Sequence, residues 1–146
     1  MTNKYMYFIA NWKMFGNLRS LNSLNKVVNF SKSKEINKGR LIYCPPYTLI
    51  GSFLKKFKNC QIDIGGQNCH ESETYGPYTG YINAHMLKNI GANYVIIGHS
   101  ENRLNGENDK LINLKIKSAL KAKLKVIFCI GETLIEKRKK KTYSIL

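Results

Sequence analysis

The chain has 146 residues, one ordinary domain's worth, with 24 Lys and Arg against 9 Asp and Glu, a formal charge of +15. At 43% hydrophobic residues it can bury a core, which excludes compositional disorder. Its longest apolar runs, Tyr94–Ile97 and residues 126–130, fall far short of the ~20 residues a membrane helix needs, and no cleavage site follows the first apolar stretch, so a soluble cytoplasmic protein is expected.

The hydrophobic pattern alternates between strand-like and helix-like stretches. Residues 5–11 form a short, nearly all-apolar strand. Residues 17–30 carry Leu18, Leu21, Leu24, Val27 and Val28 at three- and four-residue steps, which predicts an amphipathic helix. A second strand, 41–44, stops at Pro45-Pro46, and a helix over 47–57 can accept Pro46 in its first turn. A third strand, 61–67, leads into a polar loop over 68–80. Ala84–Ile90 reads as a short helix that Gly91 is placed to terminate. Residues 94–98 form a fourth strand. Asp109–Lys121 is a helix with Leu111, Leu114, Ile116 and Leu120 on its apolar side. Residues 125–130 are a fifth strand, and 132–146 has a helical pattern.

These strands lack the polar alternation of a half-solvated sheet, which predicts helices covering both faces. Repeated βα units imply a parallel α/β sheet, and periodicity leaves an open doubly wound sheet and a barrel as alternatives.

Cys44, Cys60, Cys69 and Cys129 form no C-x-x-C pair, so reduced thiols are expected rather than a zinc site. Twenty of the 24 basic residues are Lys, scattered over helical faces. Asn and Ile stand at sixteen each, the signature of an AT-rich coding bias. Only Lys137 to Lys141 forms a basic run, which makes a nucleic-acid-binding module the weak third reading.

Two strand ends carry unusual polar content: Ala10-Asn11-Trp12-Lys13 after the first strand and Gly98-His99-Ser100-Glu101 after the fourth. In a parallel sheet both fall on the carboxyl-terminal face, where α/β folds place ligands. Each residue alone has a bland explanation. An amide, an ammonium, an imidazole and a carboxylate together suggest a small-anion site with His99 as acid/base.

Phe8-Ile9-Ala10-Asn11-Trp12-Lys13-Met14 resembles the first-strand signature of the triosephosphate isomerase family. Tyr94-Val95-Ile96-Ile97-Gly98-His99-Ser100-Glu101 is similar to that of its fourth strand. Cys44-Pro45-Pro46, Gly66-Gln67-Asn68-Cys69 and Cys129-Ile130-Gly131-Glu132-Thr133 agree in order and spacing, and Tyr78-Thr79-Gly80 resembles the tip of the family's third loop.

The resemblance implies a (β/α)8 TIM barrel, a fold of about 250 residues. Residues 1–146 would supply strands 1–5, helices 1–4 and part of helix 5, as one incomplete domain. It further implies interconversion of dihydroxyacetone phosphate and glyceraldehyde 3-phosphate through an enediolate, without cofactor or metal, in a cytoplasmic homodimer of glycolysis and gluconeogenesis. By the same resemblance His99 is the catalytic electrophile, Asn11 and Lys13 bind the phosphorylated substrate, and Trp12, Ser100 and Glu101 support them. Glu101 would orient the Lys13 ammonium. Tyr78, Thr79 and Gly80 would lie at the dimer interface.

Two departures stand out. The family's catalytic base follows its sixth strand and its phosphate turns follow strands seven and eight, and no residue here matches them. Tyr81 and Asn102 stand where the family commonly has a Glu and an Arg that can pair, a joint change that leaves no orphan charge. The alternative function is therefore a catalytically inactive fragment or remnant of that barrel.

Overall fold

Five strands lie side by side in sequence order, and every neighbouring pair is parallel. They are β1 (Met6–Asn11), β2 (Gly39–Cys44), β3 (Ile62–Gly66), β4 (Tyr94–Ile97) and β5 (Lys125–Phe128). The computed structural model describes residues 5–33 and 38–145. Between the strands run α1 (Asn25–Ser31), α2 (Tyr47–Lys56), α3 (Ala84–Ile90), α4 (Ser100–Leu104) and α5 (Asp109–Lys121), and α6 (Leu134–Arg138) and α7 (Thr142–Ile145) follow β5. The sheet curls into a half-barrel, the first five strands of a TIM barrel, which decides between the two architectures the periodicity left open.

Side chains alternate between two cores, as the period of a strand requires. On the helix side, Val95 and Ile97 of β4 and Ile64 of β3 pack with Ile50 and Phe53 of α2, Leu87 of α3, and Ile112 and Ala119 of α5. On the concave side, Ile42 and Cys44 of β2 meet Tyr94 and Ile96 of β4, with Ile127 and Cys129 against them. Burying each such aliphatic or aromatic side chain stabilises by about 1.5–3 kcal/mol.

Two glycines let these layers close. A Cβ on Gly65 would stand 2.6 Å from Cys44 Sγ, so only a bare backbone fits between β2 and β4 there. Gly91 ends α3 at φ +106, its amide donating to Leu87 and Lys88 carbonyls, as its place after the periodic stretch predicts.

The expectation of burial on both faces holds for β4, all four of whose residues are buried, and fails at the flanks. Met6, Tyr7 and Phe8 of β1 are 62%, 52% and 52% exposed, and Phe128 of β5 is 50% exposed. Among the described residues, each flanking strand has a neighbour on one edge only.

Three helical expectations also change. The helix over 17–30 divides into a 3-10 segment, Leu18–Leu24, and α1. Leu18, Leu21 and Leu24 recur every three residues, the period of a 3-10 helix, and Ser23 Oγ donates to Ser20 O at 2.7 Å, competing with the α-helical ladder. Asn17 still caps it, accepting from Arg19 N at 2.9 Å.

In α5 the buried residues are Ile112, Lys115, Ser118 and Ala119, whereas Leu114 and Leu120 are exposed. Ser118 and Ala119 are small enough for the helix to approach the sheet closely, and Lys115 is buried because it has a carboxylate partner. Finally, 132–146 breaks into α6 and α7 across the lysine run, where Lys140 takes φ +55 and like charges oppose a continuous helix. Leu146 lies outside the described residues. Cys44 and Cys69 are buried, Cys60 and Cys129 half-buried, and all four are unbridged. No helix among the described residues is long and apolar enough to cross a membrane.

Candidate functional site

The carboxyl-terminal ends of β1, β3 and β4 open onto a groove of about 700 Å³ lined by Asn11, Lys13, Gln67, Asn68, His99 and Glu101. Tyr47, Asn102 and Asn105 complete its polar wall. Asn11 is the last residue of β1, and its Oδ1 accepts from the Lys13 amide at 2.9 Å. That contact accompanies a turn in which Lys13 takes φ +53. The left-handed region costs a residue bearing a Cβ about 1–2 kcal/mol, so other contacts must hold it.

One such contact crosses the groove. Lys13 Nζ lies 3.0 Å from Glu101 Oε1, with both side chains about half exposed. The hydrogen bond from Lys13, and then its charge, hold the Glu101 carboxyl below the usual glutamate value.

His99 occupies the N-cap of α4 with φ −58 and ψ 143, and the Glu101 amide donates to its Nδ1 at 3.3 Å. Glu101 Oε2 also stands 3.4 Å from Nδ1. The amide decides between the two contacts: a nitrogen accepting from an N–H carries no proton, so the tautomer with its hydrogen on Nε2 is the one that fits. Arg103 fixes the turn behind His99, its Nε donating to Gly98 O at 2.8 Å and its Nη1 pairing with Asp109 at 2.7 Å.

A second polar network underlies the groove and is almost fully buried. Lys115 Nζ lies 2.5 Å from Glu107 Oε1, with side chains 9% and 11% exposed. Asn68 Nδ2 donates to the same oxygen at 2.7 Å, and its Oδ1 accepts from Cys69 N at 2.8 Å. Tyr47 Oη donates to Asn68 O at 2.6 Å, and burial pushes that phenol above its ordinary pKa. Burial likewise pushes the Cys69 thiol up to about 12, so it is no nucleophile at neutral pH.

The structure brings Asn11, Lys13, His99 and Glu101 together. It leaves the other expected residues outside the groove. Trp12 turns away to meet Tyr43 edge-on, ring centroids 6.4 Å apart, and packs on the helix-side core. Ser100 is exposed at the first position of α4. Tyr78, Thr79 and Gly80 form an exposed loop tip, where Tyr78 stacks on His70 at 4.4 Å and Gly80 takes φ +82. Of the two residues in the joint change from the family pattern, Tyr81 stands edge-on to His70 at 4.9 Å and Asn102 faces the groove.

Gln67, Asn68, Tyr47 and the Glu107–Lys115 pair carried no assigned role in the sequence. The available signal was position: Gln67-Asn68 follows β3 directly, as Asn11 ends β1 and His99 follows β4. Chemically the groove offers one ammonium, several carboxamides and an imidazole N–H, a set suited to a small anion bearing a carbonyl. Among the described residues, no three His, Cys, Asp or Glu side chains are placed to hold a metal ion.

Comparison with known proteins gives the family. The family model described as triosephosphate isomerase matches residues 6–146. The triosephosphate isomerase of Bartonella henselae is 42% identical over 144 residues, covering 95% of this chain and 55% of that protein. That of Wolbachia pipientis is 42% identical over 139 residues, covering 94% and 54%. The crystal structure of the Bartonella henselae triosephosphate isomerase superposes with a TM-score of 0.89 at 38% identity, covering 98% of this chain and 59% of that one. The chain thus spans about half the length of the curated relatives it matches, and over that span it belongs to the triosephosphate isomerase family.

Proposed function

We propose that residues 1–146 supply the substrate-holding and electrophilic part of a triose-phosphate isomerase, as one incomplete barrel domain. The reaction interconverts dihydroxyacetone phosphate and glyceraldehyde 3-phosphate in cytoplasmic glycolysis and gluconeogenesis. The observation that carries this reading is the shared groove of Asn11, Lys13 and His99, with the His99 Nδ1 occupied by a backbone amide and Nε2–H left to donate.

In the reaction a base takes a proton from the carbon beside the carbonyl, the C–H electrons form the enediolate, and charge collects on oxygen. His99 Nε2–H donates to that oxygen. Lys13 and Asn11 offset negative charge on the phosphate and the oxyanion. A proton then passes from the hydroxyl oxygen on the first carbon to the former carbonyl oxygen, the base returns its proton to the neighbouring carbon, and the isomerisation is complete. No groove residue is free to act as the base. Glu101 is the carboxylate in its lining, and it is engaged by Lys13. A missing positioned base costs on the order of 10²–10⁴ in rate. Lost phosphate grips cost more through positioning.

The 146-residue chain alone is therefore expected to show no isomerase activity above background in a coupled assay. Extended with the remaining part of a relative's barrel, it is expected to turn over. There His99→Gln lowers kcat more than it raises KM, and Lys13→Met damages both parameters. Turnover by the purified short chain that His99→Gln abolishes would overturn the absence of a base. An inert extended chain would favour a catalytically inactive remnant. The exposed tip Tyr78–Thr79–Gly80 is read as the contact with a second copy in the complete homodimer, and Thr79→Asp should then lower the sedimenting mass of the extended chain.

A further inference from the structure

A carboxamide has two N–H bonds on one nitrogen, and Gln67 directs that nitrogen at two main-chain carbonyls. Nε2 lies 2.7 Å from Lys13 O and 2.8 Å from Cys44 O. Gln67 itself follows β3, so one side chain joins the ends of β1, β2 and β3. The Cys44 carbonyl also accepts from Trp12 N at 3.1 Å, where the β1–β2 ladder finishes.

Past that point a single turn follows, closed by the Phe15 amide donating to Trp12 O at 3.2 Å. Met14 and Phe15 are 95% and 75% exposed and offer no packing. Lys13 nevertheless holds φ +53, with Asn11 Oδ1 on its amide and Gln67 on its carbonyl. Gln67 is itself fixed, because the adjacent Asn68 is locked by Tyr47 and by the buried Glu107–Lys115 pair.

We propose that Gln67 is the positioning residue for Lys13: its amide group clamps the left-handed backbone of Lys13 to the end of β2 and so aims the ammonium across the groove toward Glu101 and His99. The inference rests on the reading of Lys13 as the substrate-holding ammonium and adds the device that aims it. The residue type follows from the geometry. Methionine has the length but no donor, and an ionised glutamate would set a carboxylate oxygen against two carbonyls. Asparagine is one methylene short, and lysine would place a second positive charge beside the first.

The test reads the Glu101 carboxyl by carbon NMR titration in the ligand-free 146-residue chain. In the wild type, Glu101 is expected to titrate below the ordinary glutamate value of about 4.3. In Gln67→Met and Gln67→Asn it should move back up toward that value, as it should in Lys13→Met. Glu136, held low by the Thr133 amide in the cap of α6, should not move in any of them.

A merely structural role for Gln67 would change stability and leave the Glu101 titration of the folded chain where it was. A folded Gln67 variant with Glu101 still lowered overturns the proposal, and so does a wild-type Glu101 that titrates ordinarily. If Gln67→Met fails to fold, the uncharged Gln67→Asn, one methylene short of the two carbonyls, decides. Loss of the fold in both variants assigns Gln67 a structural role and also overturns the proposal. The readout needs no substrate, so failure of the isomerase assay in an extended chain leaves this result standing, and the reverse holds too.

Discussion

β4 and β1 read almost alike, Tyr-Val-Ile-Ile against Met-Tyr-Phe-Ile-Ala-Asn, and they sit in opposite surroundings. β4 has a strand on each side, α5 behind it and the concave cluster in front, and every one of its residues is buried. β1 pairs with β2 alone, and its first four residues are exposed. An apolar run therefore identifies a strand, while coverage depends on what the rest of the chain lays against it. The two strands also hold their groove residues by different means. His99 extends from a packed strand into a helix cap, whereas Lys13 extends from an exposed one and is held by carboxamides and a carboxylate.

The largest test of that contrast lies in the buried pair behind the groove. Removing one partner of a buried ion pair leaves the other charged and unpaired, which costs about 3–5 kcal/mol. Glu107→Ala should accordingly lower the unfolding free energy by that amount in urea. Lys13→Met, which breaks the half-exposed pair with Glu101, should move the urea midpoint far less. Equal losses in the two variants would erase the distinction between centre and flank.

A smaller effect sharpens the comparison with chemistry held constant. Ile97→Val removes one methyl from a fully buried site and should cost about 0.5–1.5 kcal/mol. Ile9→Val removes the same methyl from a residue 43% exposed and should cost less than about 0.5 kcal/mol. Hydrogen exchange orders the strands the same way: amides of β2 to β4 should exchange through global opening, those of β1 by local fraying.

The smallest effect is one of pH. Glu101 is held low in the folded chain, so what its pairing contributes is present above the ordinary glutamate value and is lost as pH falls through the folded one. Acidification across that window should lower the thermal midpoint slightly in the wild type and less in Lys13→Met. A larger decline in the variant would reverse the assigned sign.

Much of this was legible in the residues. The order of strands and helices followed from periodicity, and Gly91 and Pro46 stand at the helix ends their chemistry favours. Asn11, Lys13, His99 and Glu101 were found because polar residues directly after apolar runs must emerge on one face of a parallel sheet. What stayed hidden depended on partners distant in sequence. On α5 the expected Ile116 packs against the core, but Leu114 and Leu120 are exposed, because closeness of approach to the sheet selects the small Ser118 and Ala119 although the leucines outweigh them in hydrophobicity. Lys115 looked like surface charge until Glu107 was placed beside it. Gln67 gave no sign of its two carbonyl partners, one of them 54 residues earlier in the chain.

Each strand in this sheet pairs with the strand that comes next in sequence, in the order β1-β2-β3-β4-β5. Among these five strands, no pairing has to wait for a distant segment to be synthesised. A ribosome feeding out this chain delivers each new strand to an edge that already exists, and the helix made just before it lies ready to cover that edge's outer face. The helix-side core can thus grow in the direction of translation, one βα unit at a time, with a single crossover to close at every step.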